Sequence, residues 1–94
     1  MIGILLADHR QLERDAMRFL LEQTSDLHVV SEASDGTEAL SRFAATRPDV
    51  SILDASMPGM NNCEMLGTTL SIDAKAQILL VTTARDPLSA AMAV

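Results

Sequence analysis

Pro48-Asp49-Val50-Ser51-Ile52-Leu53-Asp54, followed at once by the turn-rich Ala55-Ser56-Met57-Pro58-Gly59-Met60-Asn61-Asn62, decides the fold of this chain. A run of Val, Ile and Leu bounded by breakers reads as a buried strand. Its last residue, Asp54, then stands at the carboxyl edge of a sheet, where open α/β sheets keep their chemistry. Asp8 occupies the same kind of position after Ile4-Leu5-Leu6-Ala7. Two acids at the carboxyl ends of two strands are the minimum for an oxygen-lined cation site beside a nucleophilic carboxylate.

Working outward, strand-like and helix-like runs alternate. The first strand is Ile2 to Ala7, and a helix follows from about Gln11 to Gln23, with Leu12, Ala16, Phe19 and Leu20 at the i, i+4, i+7, i+8 spacing of one buried face. A second strand, Leu27 to Ala33, leads into Asp35-Gly36-Thr37-Glu38, where an acceptor at the N-cap and Glu three residues on form a capping-box pattern for a helix carrying Leu40 and Phe43. After the Asp54 strand a helix is predicted from about Cys63 to Leu70, then a fourth strand over Gln77-Ile78-Leu79-Leu80-Val81-Thr82. Asp86-Pro87 starts another helix, with Pro87 at the first helical position, where a missing N–H costs nothing. Regular βα alternation with short connections predicts a doubly wound parallel sheet, covered on both faces by its crossovers.

With 94 residues the chain is expected to form one domain with a single core. Its apolar content is 48%, yet no stretch approaches the roughly 18–20 apolar residues that span a bilayer, and no basic region precedes the first apolar run. A cytoplasmic chain that does not enter the membrane is expected. A lone cysteine, Cys63, excludes an internal disulfide, and no Cys/His cluster surrounds it to suggest structural zinc. The net charge of −6 disfavours direct binding to nucleic acid or an anionic membrane. Without Trp or Tyr, the chain also lacks aromatic platforms on which bases stack.

A carboxylate attacks phosphorus only when its repulsion with the incoming phosphoryl group is neutralised, and a divalent cation held by neighbouring oxygens does this while fixing geometry. Asp54 and Asp8 suit those two roles; each alone is also an ordinary strand-end acid or helix cap. Thr82 ends the fourth strand at the same edge, with a hydroxyl able to donate to a phosphoryl oxygen, although Thr is also an ordinary strand residue and Thr83 competes for the assignment. Ser56 lies where a backbone carbonyl completes an oxygen shell. His9 follows Asp8 directly, and a His there is more often a cap or a solvated residue than a ligand. A phosphohydrolase using Asp54 as covalent nucleophile would need a second acid just downstream, which Ala55-Ser56-Met57 does not supply. No Gly-rich turn follows the first strand, so a dinucleotide-binding domain is excluded as well.

In these stretches, together with Val29-Val30-Ser31-Glu32-Ala33-Ser34-Asp35-Gly36-Thr37-Glu38-Ala39-Leu40 and Ser56-Met57-Pro58-Gly59-Met60, the chain resembles the receiver domain of a bacterial two-component response regulator of the LuxR/FixJ type, NarL-like. The resemblance implies a flavodoxin-like receiver fold with strand order 2-1-3-4. It implies Asp54 as phosphoacceptor, Asp8 as an acid of a Mg²⁺ site, Ser56 as its backbone-carbonyl ligand, and Thr82 as the switch hydroxyl. It implies a histidine kinase as partner and DNA contact only through an attached effector.

Three departures shape the expectation. His9 stands where the family has its second acid, and an imidazole suits transition metals better than hard Mg²⁺, so Mg²⁺ binding is expected to be weak. Asn61-Asn62 replaces the usual Asp-Gly after the turn. The family's fifth strand, its phosphoryl-contacting lysine and its last helix have no counterpart, and Lys75, the only lysine, precedes the fourth strand. A phosphoacceptor domain over residues 1–94, incomplete at its C-terminus and not itself an enzyme, is the first expectation. The alternative is a degenerate receiver acting as a phosphorylation-independent docking or dimerisation module. An uncovered fourth strand also predicts a homodimer or higher oligomer.

Overall fold

The computed structural model describes residues 1–59 and 61–81. Its elements are β1 (Ile2–Ala7), α1 (Gln11–Leu21), β2 (Leu27–Ala33), α2 (Gly36–Thr46), β3 (Val50–Asp54), α3 (Asn62–Ile72) and β4 (Gln77–Val81). The four strands form one parallel sheet in the order β2-β1-β3-β4. The predicted fold and strand order are both present. Thr82 and the predicted helix from Asp86-Pro87 lie outside the described residues.

The alternation of side chains along each strand splits the core in two. Ala7, Ala33 and Leu53 face α2 and α3, packing with Ala39, Met57 and Met65. Ile4, Leu6 and Ile52 face the other way, toward Met17 and Leu21 of α1. Because β1 and β3 are covered on both faces, they read as continuous apolar runs rather than alternating ones.

Local chemistry sets the helix ends. Asp35 caps α2, accepting from the Glu38 N–H at 2.7 Å, while the Glu38 carboxylate reaches back to the Ser34 N–H at 3.1 Å. The predicted capping box is present, with its return bond one residue earlier than the ideal pattern. Asn61 caps α3 through the Glu64 N–H. Gly59, with φ of 72°, takes the left-handed turn that glycine accommodates without strain.

One expectation is corrected. Leu12, Ala16, Phe19 and Leu20 do not form the buried face of α1: all four are exposed, Leu12 at 82%, and no residue of α1 is fully buried. The helix rests on Met17 and Leu21 instead, one position round from the predicted stripe, and ends two residues earlier, at Leu21. Apolar residues cover more of α1 than the sheet beneath it can contact, so periodicity identified a helix without identifying its seat.

Candidate phosphoacceptor and cation site

Strand register brings the two acids together. Ala7 of β1 pairs with Leu53 of β3, so the next residues, Asp8 and Asp54, emerge side by side at the carboxyl edge. Asp54 pairs in turn with Val81, and the Ala55 N–H donates to the Val81 carbonyl at 2.8 Å, locking β4 beside the site. Thr82, next after Val81, is outside the described residues.

Asp54 is buried, 4% exposed. Its Oδ1 accepts from the Ser56 N–H at 3.0 Å and from Ser56 Oγ at 2.8 Å, which fixes the carboxylate plane. Its Oδ2 is buried without a hydrogen-bond donor among the described residues. Two cationic or potentially cationic groups face that oxygen: His9 Nδ1 at 3.3 Å and Arg10 Nη2 at 3.6 Å. Burial is the largest influence on the Asp54 carboxyl and pushes its pKa up. The two Ser56 donors, Arg10 and His9 together outweigh burial and hold it below the usual carboxylate value.

Asp8 is held by the same i to i+2 device, its Oδ1 accepting from the Arg10 N–H at 2.9 Å and from Arg10 Nε at 3.4 Å. Arg14 Nη1 donates to the Asp8 carbonyl at 2.8 Å while its Nε pairs with Glu32, tying the start of α1 to β2. Arg10 Nη2 also pairs with Glu13 at 2.5 Å. Burial pulls the Arg10 pKa down most strongly, but Asp8, Glu13 and Asp54 together raise it above its ordinary value.

One ligand atom each from Asp8, His9 and Asp54 lies within 4.8 Å of the others. The structure thus brings together three of the residues singled out in the sequence. Ser56 is at the site as well, through its N–H and hydroxyl on Asp54. Sequence reasoning passed over Arg10, although its position two residues after Asp8 and three before Glu13 places its guanidinium between acids.

The donor set does not fit Mg²⁺ well. That ion prefers an all-oxygen octahedron that retains several waters, whereas one of the three convergent donors here is an imidazole.

A family model described as response regulator receiver domain matches residues 4–94. The transcriptional regulatory protein BtsR of Escherichia coli (strain K12) is 37% identical over 67 residues, covering 71% of this chain and 28% of that protein. The chain therefore spans under a third of the length of that relative. The crystal structure of a LuxR-family two-component response regulator from Aurantimonas sp. SI85-9A1 superposes with a TM-score of 0.88 at 30% identity, covering 99% of this chain and 66% of that one. A LuxR-family DNA-binding response regulator from Staphylococcus aureus gives a TM-score of 0.87 at 26% identity, covering 99% and 78%.

Proposed function

The chain belongs to the response regulator receiver domain family, and from that premise we propose that it accepts a phosphoryl group on Asp54 from a histidine kinase. The observation carrying this reading is Asp54 Oδ2, buried at the sheet edge beside Asp8 with no hydrogen-bond donor spent on it among the described residues. In the transfer, a lone pair of Oδ2 forms the new P–O bond. The P–N bond to the kinase histidine breaks, and the departing imidazole keeps the electron pair and takes a proton from solvent water. Ser56 orients the nucleophile, and Arg10 offsets part of the incoming charge.

The domain acts as an acceptor and switch, not as a turnover catalyst. As a cytoplasmic receiver it would govern an attached DNA-binding effector of the kind named for its LuxR-family neighbours. Among the described residues no helix is long and apolar enough to cross a membrane. Phosphoryl contact with the Thr82 hydroxyl would bias a two-state equilibrium, and moving it from 1:99 to 99:1 takes ~5.5 kcal/mol of differential contact. Mg²⁺, supported by Asp8, Asp54 and the Ser56 carbonyl, is held weakly in this reading because His9 replaces an acid.

A second reading has its own support. His9 and Arg10 both face Asp54 and partly neutralise it without any added ion, as a docking module that is never phosphorylated would allow. Incubation with a small-molecule phosphodonor and Mg²⁺, followed by intact-mass measurement, separates the two. Gain of one phosphoryl mass supports the acceptor reading, and an unchanged mass supports the docking module.

A further inference from the structure

Asp54 Oδ1 is saturated by Ser56, which leaves Oδ2 to face His9 Nδ1 at 3.3 Å, with Asp8 Oδ1 3.9 Å from the same imidazole nitrogen. Donor atoms around a tetrahedral ion with bonds of about 2.0–2.1 Å stand roughly 3.3–3.4 Å apart. The His9–Asp54 spacing already matches that edge, the His9–Asp8 spacing exceeds it by about half an ångström, and all three donor atoms lie within 4.8 Å of one another. We infer that Asp8, His9 and Asp54 form a site selective for a borderline divalent transition ion, with Zn²⁺ as its probe and Co²⁺ as its spectroscopic analogue, over Mg²⁺. The inference rests on the phosphoacceptor reading only for the place of the site.

Chemistry and burial support this selectivity together. One imidazole and two carboxylates are a donor set suited to Zn²⁺, Co²⁺ or Ni²⁺, whereas carboxylate, carbonyl and water suit Mg²⁺. Asp54 Oδ2 is buried and accepts no hydrogen bond among the described residues, so a cation there satisfies a group that otherwise has none. Three protein donors leave a fourth tetrahedral position for water or a phosphoryl oxygen. Arg10 does not block entry: its contacts to Asp8 and Asp54, 3.4 and 3.6 Å, are longer than its 2.5 Å pair with Glu13. An incoming ion displaces the long contacts while the guanidinium keeps Glu13.

Calorimetric titration of the 94-residue chain with Zn²⁺ and with Mg²⁺, together with visible absorption during Co²⁺ titration, tests the inference. Zn²⁺ is expected to bind at one site at least about tenfold tighter than Mg²⁺, and Co²⁺ to show the intense visible bands of tetrahedral coordination. His9→Ala should weaken Zn²⁺ at least about tenfold while sparing Mg²⁺, and His9→Asp should shift preference toward Mg²⁺. His28→Ala, at an exposed histidine paired with Glu22, should leave the Zn²⁺ isotherm unchanged. Equal Zn²⁺ and Mg²⁺ affinities in the unaltered chain, or a Zn²⁺ isotherm indifferent to both His9 variants, would overturn the inference. A phosphodonor experiment that adds no mass with either Mg²⁺ or Zn²⁺ present rejects the acceptor reading and leaves the metal titration standing, so the two fail separately.

Discussion

Arg10 Nη2 lies 3.6 Å from Asp54 Oδ2, so a cation supplied by the chain itself faces the carboxylate proposed to receive phosphate. The same guanidinium touches Asp8 and Glu13, and three acids thereby share one positive charge. The site is electrostatically half-satisfied before any ion or phosphoryl group arrives.

Neutralising Arg10 should strengthen cation binding, because a fixed positive charge at the mouth opposes every incoming ion. For Arg10→Gln we expect Mg²⁺ and Zn²⁺ each to bind roughly two- to fivefold tighter, with the gain shrinking as salt rises. Parallel titrations of the variant at low and high ionic strength check this. Weaker binding would mean that Arg10 positions Asp8 more than it competes.

Asp54 is expected to be the only acyl-phosphate site, since it combines a strand-end position with the Ser56 N–H and hydroxyl that fix its carboxylate. Asp54→Asn should abolish the phosphodonor-dependent mass increase. Labelling that persists in the variant would place the phosphoryl group elsewhere.

The lowered Asp54 pKa carries a stability consequence with a definite sign. A carboxyl whose folded pKa lies below its unfolded value, about 3.9, stabilises the fold above that value and loses the contribution as pH falls through the folded pKa. The stability of the unaltered chain relative to Asp54→Asn should therefore be flat near neutrality and decline from about pH 4 downward. Urea melts of both proteins between neutrality and acid, with a chelator present, measure it; a difference that grows in acid contradicts the assignment.

The two phenylalanines should behave oppositely. Phe43, 1% exposed on α2, should cost about 3–5 kcal/mol when replaced by Ala. Phe19, 66% exposed on α1, should change stability by no more than ~0.5 kcal/mol. Denaturant melts of Phe43→Ala and Phe19→Ala compare the two directly, and a large loss in the second would show that the outer face of α1 is buried in solution.

Arg47 ends α2 with φ of 45°, a left-handed conformation that a side chain disfavours by roughly 1–2 kcal/mol. Glycine relieves that strain but adds freedom to the unfolded chain, and it loses the 3.3 Å bond from Arg47 to the Ile72 carbonyl. Arg47→Gly should leave a net gain of about 0.5–1 kcal/mol, visible as a raised denaturation midpoint.

The alternation of breakers with Val-, Ile- and Leu-rich runs was enough to set the strands, their parallel arrangement and the two acids at one edge, because a strand's hydrophobic run and its end are local properties. Asp8 and Asp54 were legible as a pair for the same reason: each stands at the carboxyl end of its strand, at a position that parallel pairing must align, whereas His9 read as a cap or a solvated residue. The seat of α1 was not legible. Leu12, Phe19 and Leu20 share a helical face with the right spacing, yet whether that face or the one bearing Met17 and Leu21 meets the sheet depends on the angle at which the helix crosses β1 and β3. Arg10 was missed on similar grounds. A charged residue after a strand is ordinarily solvated, and only the folded backbone decides that its guanidinium lies between Asp8, Glu13 and Asp54 rather than in water.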